Sequence, residues 1–401
     1  MKIRIPIAVL VLIASCYLLQ MFFGVNISMR GLMMPQIIDD FRISYTSGGL
    51  MFLLPVIPLI AGSLITGYLF SHYNKKGLAL AGIGIMALSM LVMTFSPVYS
   101  IYLVCTLIAA FGTMVIFIVS NITVTEFFHT YARKYRSNGI ILIHFFFGIG
   151  AISSMTVGNL ILTDESSWRI VFRTMAAILF GIGILFAFAR FIRAEGPVVS
   201  PHPSQLVRVL ARPRMLLYGL AAMCYVGTEF AVVNWAPTFM EKGLGEPKSY
   251  SSLVMMLFFV CFTGGRLLAS VVIHRLNQTA TFTILCAGGI LAMAAAFIFQ
   301  IRIMGFDLFI PVTGFFLSAI FPILQNHVIH DFEGQMSLAT GALYASSNIG
   351  ASVMPFLIGA LNDLFGVKGG IAVTGGILLL CLSAFLGAQY ITHVKITEAE
   401  G

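Results

Sequence analysis

The sequence carries little charge. Asp, Glu, Lys and Arg make up 9% of its 401 residues, whereas they supply roughly a quarter of a typical soluble domain. This shortage, together with 59% hydrophobic residues and a mean hydropathy of +0.98, excludes a water-soluble domain. Apolar runs of the roughly 20 residues needed to cross a bilayer recur from Ile5 to Ile391. We therefore expect an integral membrane protein.

The sequence also lacks the patterns of an enzyme. Its six cysteines lie inside apolar runs, at none of the close spacings of a metal site or redox pair. The stretch Gly148-Ile149-Gly150 is not followed by a phosphate-binding loop, and no nucleotide-binding segment is present. These absences predict no enzymatic activity, no cofactor and no metal. The first apolar run is too long for a signal-peptide core, so we expect no cleavage.

Cations outnumber anions, with 23 Lys and Arg against 15 Asp and Glu. In a membrane protein this excess reports orientation rather than nucleic-acid binding, because positively charged loops stay cytoplasmic. Apart from Arg30 and Arg266, which fall inside apolar runs, alternate loops carry 14 cations on the side of the N-terminus and 7 on the other side. We expect a multi-pass plasma membrane protein, of a bacterial inner membrane, with both termini in the cytoplasm.

The apolar runs predict twelve spans, numbered here in chain order. They cover about 6–37, 47–71, 78–96, 99–125, 138–162, 168–192, 214–239, 250–273, 281–301, 305–329, 338–362 and 368–391. Between spans 6 and 7, a polar stretch with Pro197, Pro201, Pro203 and Pro213 cannot continue a membrane helix. It divides the chain into an N-terminal six-helix bundle (1–192), a cytoplasmic linker (193–213) and a C-terminal six-helix bundle (214–401).

The two halves align with each other at an offset of about 200 to 205 residues. The matching positions are 44–47 with 249–252, 62–65 with 265–268, 121 with 326, 126 with 331, and 149–151 with 349–351. Their common order predicts a duplicated six-helix unit, an arrangement that places a solute site between the halves near mid-membrane. Small residues in spans 5 and 11 should allow close helix approach; they are Gly148, Gly150, Gly158, Gly341, Gly350 and Gly359.

Several motifs are similar to those of a known family. The loop 67–77 resembles a degenerate form of the cytoplasmic signature of the major facilitator superfamily, with Ser71 in place of the usual Asp. The segments 225–229 (YVGTE), 319–322 (AIFP) and 350–363 resemble the fucose/proton-symporter-like sugar branch. The resemblance covers essentially the whole chain. It implies an all-helical fold of two pseudo-symmetric six-helix bundles and transport by alternating access.

The sequence departs from that branch at two positions. Its acidic residue in span 1 has no carboxylate counterpart here, where the nearest polar group is Arg30. Its acidic residue before the span 4 asparagine is Phe117 here. Neither fucose specificity nor the proton site of the branch carries over.

Glu229 is the predicted proton-coupling residue. It lies about mid-way along span 7, where an ionised carboxylate costs roughly 2.5–3.5 kcal/mol or more and therefore faces a protein interior or a water-filled cavity. The alternative is a carboxyl held by hydrogen bonds to a neighbouring helix.

Polar side chains inside the spans are the predicted solute-binding residues, since sugars and organic anions need donors and acceptors. They are Asn26, Arg30, Asn121, His144, Asn234, Trp235, Gln325, Asn326 and Asn348. The open alternatives are interhelical hydrogen bonds for the amides, a satisfied interior histidine, an interfacial tryptophan, and an arginine that reaches the outer surface or an internal carboxylate.

Charges near the inner ends of the spans predict a gate whose ion pairs form in one state and break in the other. Glu126 should pair with Arg133 and Arg136, and Asp331 should lie beside Arg275. The predicted gating residues are Lys75, Lys76, Glu126, Arg133, Arg136, Arg266, Arg275 and Asp331. Solvated loop charges are the alternative.

These features predict a secondary transporter, a monomer in the bilayer, that moves a sugar or small organic anion with protons. The main alternative is an exporter of drugs or metabolites with the same fold. A membrane receptor without transport is disfavoured by the twofold repeat, and an intramembrane enzyme by the lack of a catalytic motif.

Overall fold

The computed structural model describes residues 6–400 except 73, 132–135, 163, 165–166, 192–208, 210, 273–274 and 333–334. Helices account for nearly all of these residues, and the only β-type pairing among them is an isolated bridge between Ile303 and Phe306. The predicted all-helical fold is confirmed.

The twelve predicted spans correspond to these helices. The bounds are Ile7–Phe41 (span 1), Tyr45–Leu53 and Val56–His72 (span 2), Lys75–Met93 (span 3), Tyr99–Tyr131 (span 4), Arg136–Ile161 (span 5), Trp168–Phe188 (span 6), Pro213–Thr238 (span 7), Lys248–Val272 (span 8), Gln278–Met293 (span 9), Phe309–Leu317 and Ile320–Asp331 (span 10), Met336–Ala372 (span 11 and the start of span 12) and Thr374–Glu400 (rest of span 12). Spans 11 and 12 are separated at Gly366, whose φ of 72° and ψ of 164° interrupt the helix.

Eleven of the described helices are long and apolar enough to cross a membrane, and span 5 contributes the shorter apolar stretch Phe145–Ile161. The chain is therefore a multi-pass membrane protein.

Local sequence explains where several helices begin and break. Asn74 and Asn277 precede spans 3 and 9, and their side chains accept from the backbone N–H groups of Gly77 at 2.6 Å and Ala280 at 3.0 Å. Pro55 lies in the gap that divides span 2. Spans 7 and 9 end in single π-helical turns, 239–243 and 294–298.

The chain folds into two compact units. Unit 1 comprises Met1–Ile43 and Leu54–Ser200, and unit 2 comprises Ser44–Leu53 and Pro201–Gly401. The segment 44–53, which begins span 2, thus packs with the second unit, which the predicted division of the chain did not anticipate. The predicted linker 193–213 lies mostly outside the described residues, so that boundary stays a prediction.

Each unit contains a close crossing of two helices at a glycine. A Cβ on Gly150 in span 5 would lie 1.9 Å from the carbonyl oxygen of Met21 in span 1. A Cβ on Gly350 in span 11 would lie 2.0 Å from the carbonyl oxygen of Met223 in span 7. The predicted close approach at these glycines is confirmed, and the two repeats share it.

Candidate solute and proton site

A break in span 10 exposes two backbone carbonyls inside unit 2. Pro322 has no N–H to donate to the carbonyl four residues earlier, that of Ser318, and the helix is interrupted at Ala319, whose φ is −111° and ψ 0°. Arg266 Nε in span 8 donates to the Ser318 carbonyl at 3.1 Å. Tyr225 Oη in span 7 donates to the Leu317 carbonyl at 2.7 Å. Two polar side chains therefore replace the lost helical bonds.

Glu229 lies one helical turn beyond Tyr225 and is half-buried. Its carboxyl interacts with the Tyr225 hydroxyl and, electrostatically, with the Arg266 guanidinium. Among the described residues, however, no carboxylate oxygen lies within 4.0 Å of an Arg266 nitrogen. Glu229 and Arg266 are thus neighbours without forming an ion pair.

Aromatic rings and an amide surround this pair. The Arg266 guanidinium carbon lies 4.1 Å from the centre of the Phe262 ring, and the Tyr225 ring stacks on Phe321 with centroids 6.3 Å apart. Gln325 interacts with the Tyr344 hydroxyl, which also lies in the field of Arg266. We call Tyr225, Glu229, Arg266, Gln325 and Tyr344 the span 10 cluster.

The cluster contains residues from three of the predicted groups. Glu229 was predicted for proton coupling, Gln325 for solute binding and Arg266 for the gate. The structure places Arg266 at the helix break rather than with the inner-end ion pairs, and its role in gating stays a prediction. Tyr225 and Tyr344 were missed as site residues, although Tyr225 stands one turn before the single mid-span carboxylate, a spacing that could have indicated it.

In unit 1, Arg30 is half-buried in span 1 and lies in electrostatic range of Tyr102 in span 4. No carboxylate of the described chain pairs with it within 4.0 Å. Asn26, one turn earlier, is buried, and its Oδ1 has no hydrogen-bond partner among the residues that the structure describes. Asn121 Nδ2 donates to the Phe117 carbonyl of its own helix at 2.8 Å.

The remaining predicted solute-binding residues are spread over unit 2 or fall outside the description. Trp235 is fully buried and donates through Nε1 to the Pro355 carbonyl at 2.7 Å, so its ring serves helix packing in this conformation. Asn234 Nδ2 donates to the Phe230 carbonyl at 2.8 Å. Asn326 and Asn348 are exposed. The side chain of His144 lies outside the described residues.

We call the end of each unit that the cation asymmetry predicts to be cytoplasmic its inner end. At the inner end of unit 1, Glu126 pairs with Lys75. Lys76 donates to the Ala187 and Ala189 carbonyls where span 6 ends, the latter at 3.2 Å. Arg133 and the side chain of Arg136 lie outside the described residues, so their predicted pairing with Glu126 stays a prediction.

At the inner end of unit 2, Asp331 forms an ion pair with Arg214 and accepts from the Tyr218 hydroxyl. Gln389 Nε2 in turn donates to that hydroxyl at 2.8 Å. The prediction that Asp331 lies beside Arg275 is wrong, because Arg214 opens span 7 next to the end of span 10, whereas Arg275 is exposed.

The segment 44–53 is held by Asp363, which belongs to the family-like segment 350–363 but was not among the predicted site residues. Asp363 in span 11 accepts from the backbone N–H groups of Tyr45 at 2.9 Å and Thr46 at 2.7 Å, and from Thr46 Oγ1 at 2.5 Å. A carboxylate at the first turn of a helix satisfies donors that have no helical partner.

A family model and a relative of known sequence each match most of the chain. A family model described as "Major Facilitator Superfamily" matches residues 16–333. The "Protein TsgA homolog" of Serratia proteamaculans (strain 568) is 20% identical over 385 residues, 94% of this chain and 95% of the relative.

Solved structures agree with this chain in fold. A bacterial homologue of the human lysosomal transporter Spinster, in an inward-facing and unoccupied conformation, has a TM-score of 0.78 at 15% identity, covering 96% of this chain and 97% of that one. The D-xylose-proton symporter has a TM-score of 0.69 at 14% identity, with coverage of 96% and 97%.

Proposed function

Since the chain belongs to the Major Facilitator Superfamily and is thus a transporter of small solutes, we propose that it moves a sugar or small organic anion by alternating access, coupled to protons at Glu229. We also propose an inner-membrane location with both termini in the cytoplasm, on the cation asymmetry and the bacterial relative. Membership of the fucose-type branch stays a prediction.

The observation that supports this function is the span 10 cluster. Irregular backbone at membrane depth is tolerated where protein or a water-filled cavity meets its free polar groups, and broken helices commonly form the solute and ion sites of transporters. Here the break lies in the same cluster as the mid-span carboxyl, Glu229.

Glu229 can carry a proton between the two faces. Protonation removes the negative charge of a carboxylate. Because a charge in the membrane interior costs free energy, the protonated and ionised forms of Glu229 should favour different conformations of the transporter. Because Glu229 is not ion-paired with Arg266, protonation of Glu229 breaks no salt bridge, and its two protonation states can both persist during the transport cycle. The same carboxyl would then bind its proton on one side and release it on the other.

The test is uptake into proteoliposomes that contain the purified chain. A pH gradient should drive accumulation of one member of a panel of sugars, sugar acids and organic phosphates. Glu229→Gln should abolish accumulation but retain exchange of labelled for unlabelled solute, since exchange needs no net proton movement. Glu246→Gln, which removes a carboxylate from the loop after span 7, serves as the matched control and should accumulate solute as the wild type does.

Two results would contradict the proposal. Undiminished accumulation by Glu229→Gln would remove this carboxyl from coupling. Export of apolar amines with no uptake of any panel member would favour the alternative, a drug or metabolite exporter.

A further inference from the structure

Arg266 differs from the ion-paired arginines of this chain in its partners. The ion-paired arginines lie at or near the ends of the spans. Their pairs are Arg169 with Asp40, Arg214 with Asp331, and Arg302 with Asp307 and Glu246. Arg266 lies inside span 8 and donates through Nε to a backbone carbonyl. No carboxylate oxygen of the described chain lies within 4.0 Å of its guanidinium nitrogens. Its charge is fixed, because a guanidinium does not deprotonate in proteins.

Two contacts hold the guanidinium in place. The bond to the Ser318 carbonyl anchors one edge, and the Phe262 ring packs against the group at 4.1 Å. A guanidinium has five N–H donors in a planar fork, a geometry that matches a carboxylate in a bidentate pair. Since Nε bonds the Ser318 carbonyl, the contact with the Tyr225 hydroxyl and any contact with a solute fall to the four N–H donors on the two terminal nitrogens.

Of the groups around the guanidinium, only the Glu229 carboxyl changes its charge, and the others in the described chain are uncharged. Span 7 contributes the Tyr225 hydroxyl and Glu229, and span 11 contributes the Tyr344 hydroxyl. From span 10 the facing group is the uncharged Gln325 amide, whereas His327 faces the inner-end charges Asp331 and Arg214. The cluster therefore carries one net positive charge when Glu229 is protonated and none when it is ionised.

We infer that Arg266 binds the carboxylate of the transported solute, and that the solute is a hydroxylated carboxylic acid of the sugar-acid class. The Tyr344 hydroxyl and the Gln325 amide can meet the solute's hydroxyl groups. This inference rests on the proposed function and deepens it: proton binding at Glu229 removes the local negative charge that competes with the solute for Arg266. Proton and anion then bind together.

The test is equilibrium binding of labelled D-gluconate and D-glucose to the full-length chain in nanodiscs, at acidic and at alkaline pH. Gluconate should bind, more tightly at acidic pH, and glucose should neither bind nor compete. Arg266→Lys, which keeps the charge but loses the fork, should weaken gluconate binding roughly tenfold to a hundredfold, the equivalent of one hydrogen bond to a charged group. Glu229→Gln should bind gluconate with no pH dependence.

Controls separate a local effect from misfolding. Arg173→Gln removes an exposed arginine of span 6 and should bind gluconate like the wild type. If Arg266→Gln loses its folded state, as judged by melting temperature, Arg266→Lys with its retained charge decides the question.

Three outcomes would overturn the inference. They are binding of glucose as tight as that of gluconate, wild-type gluconate affinity in Arg266→Lys, and a loss of gluconate binding in Arg30→Gln while the Arg266 variants bind gluconate normally. Proton-driven uptake of a neutral sugar would refute the inference while leaving the proposed function intact. Absence of any gradient-driven uptake would refute the proposed function itself.

Discussion

Spans 4 and 10 occupy matching places in the two repeats, yet their backbones differ. Span 4 is one continuous helix, Tyr99–Tyr131, whereas span 10 is divided at Ala319. Pro322 in span 10 aligns with Phe117 in span 4 when Asn326 is aligned with Asn121. The proline removes one backbone donor, and the carbonyl it frees accepts from Arg266.

The difference indicates which features the two repeats share and which polar groups are present in one repeat alone. Both units keep the glycine crossing that brings two helices together, at Gly150 in one and Gly350 in the other. Only unit 2 has a broken helix whose free carbonyls are met by the side chains around a mid-span carboxyl, within the described chain. Shared packing and unshared polar groups can therefore be tested separately.

The largest expected effect is on the shared packing. Gly150→Val and Gly350→Val each place side-chain atoms where a Cβ alone would lie about 2 Å from a backbone carbonyl oxygen. Because backbone rather than a flexible side chain is in the way, we expect a loss of stability at or above the roughly 1–3 kcal/mol typical of overpacking. Both variants should give little folded protein on size-exclusion chromatography. Gly84→Val, at a glycine with nothing within 4 Å of a Cβ, is the control. A normal yield from either crossing variant would contradict the shared-crossing interpretation.

The second-largest expected effect comes from removing the helix break that distinguishes span 10 from span 4. Pro322→Ala restores the N–H that can bond the Ser318 carbonyl, which then competes with Arg266 for that acceptor. We expect solute affinity to fall roughly tenfold, as for one lost hydrogen bond to a charged group, with an unchanged or higher melting temperature. Pro311→Ala is the matched control. Both prolines are the third residue of a helix, but residues 301–308 before Pro311 are not helical, whereas the helix 309–317 lies just before Pro322. Wild-type affinity in Pro322→Ala would show that the break does not position Arg266.

The predictable features were those set by local sequence. Apolar run length predicted the twelve spans, and small residues predicted the crossings at Gly150 and Gly350, because bilayer thickness and steric size act residue by residue. Side-chain partners could not be predicted in this way. The ion pair of Asp331 with Arg214 joins residues more than a hundred positions apart, and depends on which helices meet.

The packing of residues 44–53 with unit 2 could not be predicted from the sequence either. It depends on Asp363, more than 300 residues away, which accepts from the start of that segment. The helix break was nearer to being predictable. Pro322 inside an apolar run indicates an unpaired carbonyl at Ser318, but not that Arg266 would supply the donor.

A third effect tests what holds 44–53 in unit 2. Asp363→Asn removes the charge and one acceptor from a carboxylate that takes three donors. We expect a loss of about 2 kcal/mol in the stability of this contact and faster cysteine labelling at Ser47→Cys. Lys368→Gln is the control, because it removes a charge just beyond the break at Gly366, from a side chain that donates to Gln300 rather than to the segment 44–53. Equal labelling in both backgrounds would assign the packing of 44–53 to its apolar contacts instead.

The smallest effects distinguish the inner ends of the two units. Glu126 makes one ion pair with Lys75, and both side chains keep partial exposure, at 18% and 16%. Asp331 is 9% exposed and binds both Arg214 and Tyr218. A partly exposed pair contributes roughly 0–1 kcal/mol, whereas replacing a buried carboxylate by an amide weakens both of its charge-assisted hydrogen bonds at once. Asp331→Asn should therefore lower the melting temperature more than Glu126→Gln. Equal shifts would mean that the Tyr218 hydroxyl and the Arg214 guanidinium find water in place of the carboxylate, and that the inner ends of the two units are energetically alike despite their different partners.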